Sequence, residues 1–304
     1  MKIVAAVFLL MVLAGACPAQ QGQPAPASAS KDIPVEFGDW LEPTEPLHIA
    51  GPIHYVGTRG IGVYLITTPE GHILIDGGMP GTAPLVEASI RKLGFKPEDV
   101  RWLLVSHAHF DHVGSLEALK KLTGARVAAM TGDDELLKSG GKTDYVFADK
   151  PRLHFEPVSV DRVLKDGDTV SLGGITLTVR HTPGHTRGNA SWITTIEDGG
   201  QSYQVVFFGS ASVNPGTRLV HNPSYPGILE DYRRSLDMLD SLKPDIFLAG
   251  HGTFFDFEGK RARAATEGVK AWVDPEGYKR RIAIQREALE TLVAKEIAQG
   301  AAKQ

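Results

Sequence analysis

SHAHFDHVGS, Ser106 to Ser115, sets three histidines and an aspartate within six residues, directly behind the apolar run Trp102-Leu103-Leu104-Val105. Such a run reads as a buried strand, so His107, His109, Asp111 and His112 crowd the loop at its end. Protonated imidazoles would repel one another there, and neutral ones would need donors and acceptors in a confined space. A bound cation removes the conflict, because each neutral imidazole offers a lone pair and the carboxylate offers charge. The stretch therefore predicts a metal site at a strand end, completed by ligands from elsewhere in the chain.

Two more histidines stand at matching positions. His185 lies in HTPGHTRGN, after the run Ile175 to Val179 and a Pro-Gly turn. His251 lies in DIFLAGHG, directly after another apolar run. Loops at strand ends are where a layered α/β scaffold collects chemistry. Either histidine alone would be read as an ordinary hydrogen-bonded residue, but the first cluster needs distant partners. Six side chains become available: His107, His109, Asp111, His112, His185 and His251. Three ligands for each of two zinc ions would leave positions open for water and substrate.

The surrounding pattern predicts the scaffold. GVYLITTPEGHILIDGG, Gly62 to Gly78, reads as two strands joined at Pro69-Glu70-Gly71. APLVEASIRKLGF has helical spacing at Leu85, Ile90 and Leu93, with Gly94 as its stop. SLEALKKLTG reads as a helix with Ser115 as its cap and Gly124 beyond its end. The second half repeats the rhythm, with strands in TVSLGGITLTVRH, ASWITTIE, YQVVFFGS and DIFLAGH, and a helix from Glu230 to Leu242. A long helical tail then puts Ile282, Leu289, Val293 and Ile297 on one face, and its Lys279-Arg280-Arg281 run is expected to be solvated. Strands alternating with helices predict a layered α/β fold.

Of the 304 residues, 42% are hydrophobic and 22% charged, as in ordinary soluble domains. A net charge of −4 gives no electrostatic case for a nucleic-acid or anionic-membrane partner. Met1-Lys2, the apolar run IVAAVFLLMVLAGA and the small-residue exit before CPAQQGQPAPASAS have the order of a secretory signal. The apolar run falls short of the ~20 residues a membrane span needs. The expectation is a signal peptide over residues 1–19, a flexible linker over 20–33 and one catalytic domain over 34–304, exported to the periplasm. Cleavage after Ala16 and after Ala19 both fit. Cys17, the single cysteine, offers lipid attachment as an alternative, and no disulfide framework is available.

DGG at Asp76 to Gly78, SHAHFDH, TPGHT and AGHG, in this order, resemble the metallo-β-lactamase fold. That fold is an αββα sandwich with its metals at one edge of the paired sheets. Many hydrolases of this superfamily carry a metal-bridging Asp after the strand read here as YQVVFFG, where this chain has Ser210. With WLEPTEPLHIAGPIHYVGTRG, GSASVNPGTRLVHNPSYPGILEDYRRSL and the long C-terminal helix, this looks like the third subclass of true metallo-β-lactamases. The resemblance implies one Zn²⁺ on His107, His109 and His185 and a second on Asp111, His112 and His251. It implies that a monomer opens the ring amide of penicillins, cephalosporins and carbapenems with a metal-bound hydroxide, conferring antibiotic resistance. A lactone or thioester hydrolase of the same fold is the alternative.

The same resemblance gives Asp111 the role of orienting the hydroxide. It gives Ser210 and Ser212 the role of holding bound water and the substrate carboxylate, with Asn214 and Thr217 nearby to contact the carbonyl. Asp76 either fixes a ligand histidine or its loop from behind, or only shapes the Gly77-Gly78 turn. Trp40 and Phe155 are expected to flank the cleft, and Asp133 to Phe155, with Gly140-Gly141, to form a mobile loop beside it. His48, His54, His72, His154, His181 and His221 show no partner pattern.

Overall fold

Strand alternation in the first half decides which side chains face which layer. In the computed structural model, which describes residues 37–301, Ile73, Ile75, Trp102 and Leu104 enter the core between two sheets. Their neighbours Leu74, Leu103 and Val105 join a second core under helices. The expected signal peptide and linker lie outside the described residues.

The first sheet follows chain order: β1 (Leu47–Ala50), β2 (Ile53–Tyr55), β3 (Tyr64–Thr68), β4 (Gly71–Ile75), β5 (Val100–Leu104), β6 (Arg126–Met130) and β7 (Arg162–Leu164). It is antiparallel from β1 to β4 and parallel from β4 to β7. The short helix α1 (Gly38–Leu41) precedes it, and α2 (Ala83–Lys92) connects β4 to β5. α3 (Phe110–Val113) and α4 (Leu116–Thr123) connect β5 to β6, and α5 (Asp134–Ser139) follows β6.

The second sheet is built from β8 (Thr169–Leu172), β9 (Ile175–His181), β10 (Ala190–Asp198), β11 (Gln201–Phe208) and β12 (Ile246–Ala249), in that spatial order. Only β11 and β12 run parallel, because α6 (Ile228–Ser241) makes the crossover between them. α7 (Phe257–Glu267) and α8 (Pro275–Ala301) complete the described chain.

Helices cover both outer faces. α2 and α4 bury Val86, Ile90, Leu116 and Leu119 on the first sheet, while α8 packs on α6 and on β12 of the second. The result is the αββα order that the resemblance implies, within the layered α/β architecture that the alternating elements predict. The hairpin turn falls at Pro69-Glu70 as expected.

Three local expectations are corrected. Ser115 does not cap α4; its hydroxyl accepts from Thr82 N and Ala83 N at 2.9 and 3.0 Å, at the start of α2. Ile297 is 58% exposed while Ile282, Leu289 and Val293 are buried, because the last turns of α8 run past the surface that covers the rest of that face. Lys279 and Arg280 are exposed as expected, but Arg281 is half-buried, its guanidinium stacked 3.6 Å from the centre of the Phe254 ring. No described helix is long and apolar enough to cross a membrane.

Candidate metal centre

One edge of the sandwich gathers the loops that follow β4, β5, β9, β11 and β12. Backbone bonds lace the two sheets together there, Gly62 N to Gly250 O at 2.8 Å and Ala190 N to Ser106 O at 2.7 Å. The loops deliver His107, His109 and His185 as one group, and Asp111, His112 and His251 as another; within each, one candidate ligand atom per residue lies within 4.8 Å of the others. All six sequence-derived residues are therefore brought together, in two triads.

Outer contacts select the atom each histidine turns inward. His185 donates from Nδ1 to the Ser212 carbonyl at 2.7 Å, which leaves the Nε2 lone pair free. His109 Nε2 faces Asp144 Oδ2 at 3.3 Å, so its Nδ1 turns inward, 3.1 Å from His185 Nε2. His107 Nε2 is buried without a hydrogen-bond partner. In the second triad His112 Nε2 lies 3.3 Å from His251 Nε2 and 3.2 Å from Asp111 Oδ2. Lone pairs that converge from buried imidazoles repel unless a proton or a cation lies between them.

Protonation does not supply that relief in the first triad. Burial, then the neighbouring imidazoles, hold His107 well below the ordinary histidine range, and push His185 down to about 3. His251 falls to about 4, chiefly through burial and His112. Burial alone would raise the Asp111 carboxyl, but His112, then His251 and His109, hold it low. Against its own burial, His112 is raised by Asp111 and Asp76. Imidazoles held neutral at His107, His185 and His251, and an ionised Asp111, are donors that zinc takes, while His112 would give up its proton on binding. The residues fit the metal.

Three buried carboxylates hold these loops. Asp76, at φ +64° after β4, accepts from Ser106 N at 2.8 Å and Ser106 Oγ at 2.7 Å. Its Oδ2 is 3.5 Å from His112 Nδ1, too far and too poorly aligned for a hydrogen bond. Asp76 therefore fixes the loop more than the histidine ring. Asp133 accepts from Ala108 N, Thr186 Oγ1 and Gly188 N at 2.7, 2.7 and 2.8 Å, which ties the loops bearing both halves of the first triad. Asp144, besides facing His109, accepts from Val146 N and Phe147 N. Asp133 and Asp144 were missed as site residues. Their contacts cross 25 to 55 residues, and the one available signal was the position of Asp133 just after the parallel strand β6.

A cleft of about 440 Å³ opens onto the histidines, a size suited to a small-molecule ligand. Trp40 borders it as expected, its ring 4.9 Å from that of His251, with Phe37 and Phe254 alongside. Phe155 instead belongs to the core under the helices. The segment from Asp133 to Phe155 contains α5, and Phe147, Lys150, Arg152 and Leu153 of it border the cleft. Ser212 and Asn214 line the cleft, but the Asn214 amide donates to the His185 carbonyl. Ser210 is buried, 3.0 Å from the Ser212 hydroxyl. Thr217 borders a groove of about 990 Å³ between its loop and the end of α8, which contains no residue of either triad.

A family model described as the metallo-beta-lactamase superfamily matches residues 56–251. The chain is similar to the native FEZ-1 metallo-beta-lactamase from Legionella gormanii, with 43% identity, coverage of 84% of this chain and 97% of that one, and a TM-score of 0.82. It is also similar to BJP-1, a subclass B3 metallo-beta-lactamase of Bradyrhizobium japonicum, with 37% identity, 87% and 99% coverage, and a TM-score of 0.81. It is 29% identical to an N-acyl homoserine lactonase from a Bacillus species over 164 residues, 45% of this chain and 59% of that protein. The chain spans between 32% and 60% of the lengths of the leading curated relatives it matches. Fold, paired triads and matches agree, and the chain belongs to the metallo-β-lactamase superfamily.

Proposed function

We propose that this protein is an exported, zinc-dependent β-lactamase that opens the ring amide of penicillins, cephalosporins and carbapenems, and so confers resistance to them. One observation carries the reading. Two complete triads sharing no carboxylate occur in a chain 43% identical, over 84% of its length, to a solved metallo-β-lactamase. The residue after β11 and Gly209, where other hydrolases of the fold would place a bridging acid, is the buried Ser210. The charged, then apolar, N-terminus supports export.

His107 Nε2, His109 Nδ1 and His185 Nε2 would hold one zinc ion, and Asp111, His112 and His251 the other. When bound, zinc supplies Lewis acidity toward a carbonyl and a water that ionises near neutral pH. The protein's own part is orientation. Asp111, ionised, accepts a hydrogen bond and aims the attacking water. The Ser212 carbonyl keeps the His185 proton on Nδ1, and Asp144 keeps that of His109 on Nε2, so the inward lone pairs stay available. Trp40, Phe37 and Phe254 keep bulk water off one wall of the cleft.

The test is hydrolysis of a chromogenic cephalosporin and a carbapenem by residues 20–304, with zinc and after chelation, with an acyl-lactone and a thioester in parallel. Ring opening that disappears on chelation and returns with zinc supports the reading. Cleavage of the lactone or thioester alone would transfer the assignment to the activity named in the lactonase relative.

A further inference from the structure

The cleft carries two cations that pair with no carboxylate among the described residues. Lys150 and Arg152 border the same cavity as His109, Asp111, His185 and His251. Among the described residues neither forms an ion pair, although the neighbouring Lys138 is bridged to Glu135 at 2.6 Å and Lys121 to Glu156 at 2.7 Å. Asp149, the acidic residue beside them in sequence, borders a separate groove with Arg187 and Ser224. Among the described residues Asp111 is the single carboxylate on the cleft wall, and its charge is directed at His112 and His251.

Lys150 stands one aromatic ring away from the ligand shell. Its Nζ sits 4.9 Å from the centre of the Phe147 ring, and that ring is 5.2 Å from the His109 imidazole. Phe147 N donates to the same Asp144 carboxylate that faces His109. The wall near His251 is apolar, formed by Trp40, Phe37 and Phe254. The cleft is thus polarised, with positive charge on one segment and aromatic surface elsewhere. The hydroxyls suggested by resemblance serve this purpose poorly. Ser210 is buried, and Ser212, although it borders the cleft, has its Oγ engaged with Ser210 and 3.4 Å from His185 Nδ1.

Resting on the reading of the site as a β-lactam hydrolase, we infer that Lys150 and Arg152 are specificity-determining residues that dock the substrate's carboxylate. The aromatic wall takes its apolar side chain. A carboxylate entering the cleft meets two donors whose charges no carboxylate of the described residues neutralises. Because both are open to solvent on one side, their contribution falls with ionic strength.

The zinc-loaded enzyme and its Lys150→Gln/Arg152→Gln variant would be compared on a chromogenic cephalosporin and on the methyl ester of its ring carboxylate. The expected result is a KM for the acid raised about tenfold, with kcat within about twofold, and no change for the ester. The wild-type KM for the acid should climb with added salt, and the variant's should not. The charge-keeping exchange Lys150→Arg/Arg152→Lys should restore the acid's KM. Acid and ester rising together would show that the loop shapes the cleft without reading charge, and would overturn the inference. An unchanged KM for the acid would place the carboxylate elsewhere. A wild-type enzyme that opens no β-lactam would overturn the underlying reading, and this one with it.

Discussion

Asp133 has no solvent exposure and no cationic partner, and three donors from two different loops satisfy its carboxylate. Replacing it with Asn would turn one acceptor into a donor facing donors. A buried charged acceptor lost in this way costs about 2–4 kcal/mol, and loosening the shell behind metal ligands costs 10–100-fold in metal affinity. Asp133→Asn should show both losses, in denaturant unfolding and in chelator competition; a loss of stability alone would make Asp133 a structural residue only. Gly250 gives a sharper local test, because a Cβ there would lie 2.5 Å from His112 Cε1. Gly250→Ala should displace that ring and leave the first triad intact, so metal analysis should find about one ion per chain in place of two. Retention of two would show that the ring can give way without losing its ligand position. At this scale the ligands were legible, because their spacing behind an apolar run has no comfortable metal-free reading. Asp133 and Asp144 were not, because an aspartate in a loop carries no mark of the backbone amides it will meet.

Elements read more easily than the bonds between them. β3, β4, α2 and α4 appear where periodicity, glycine stops and the Pro-Glu turn put them. Ser115 shows the limit. A serine before an apolar helix reads as that helix's cap, yet its hydroxyl caps α2, 33 residues earlier, and donates to the Met79 carbonyl at 2.6 Å. It joins two helices that lie side by side on the first sheet. Ser115→Ala should therefore destabilise the protein by about 1–2 kcal/mol, seen as a lower urea midpoint, while zinc content and turnover stay at wild-type levels. A loss of zinc would mean that the α2–α4 junction also holds α3 and its ligands in place. Arg281 teaches the same lesson in reverse. A run of three cations suggests a wet face, but helical geometry turns the third toward Phe254.

The whole molecule joins two sheets at an edge filled with imidazoles, and the cost of that arrangement is set by pH. Metal-free His185 and His251 titrate at about 3 and 4 when folded, against an ordinary 6.5, chiefly because burial penalises their charged forms. Between those values the unfolded chain binds protons that the folded one refuses. The stability these groups contribute is thus present above pH 6.5 and lost as pH falls toward 3 to 4. His107, held low by burial, acts in the same sense, and so does Asp111 below the ordinary carboxylate range. His112 is shifted the other way; its contribution is complete below pH 6.5 and fades only on the alkaline side, so it does not oppose the acid loss. The urea midpoint of chelated protein should fall steadily from pH 6.5 to pH 4, a decline that begins about two units above the range where most surface carboxylates titrate. Zinc-loaded protein should hold its midpoint at neutral pH and drop more steeply on acidification, since protons and metal compete for the same lone pairs. A chelated protein whose midpoint stayed level or rose over that interval would show the clustered histidines already protonated in the folded state. The edge would then be a charged network, and the case for two metal sites would fall with it.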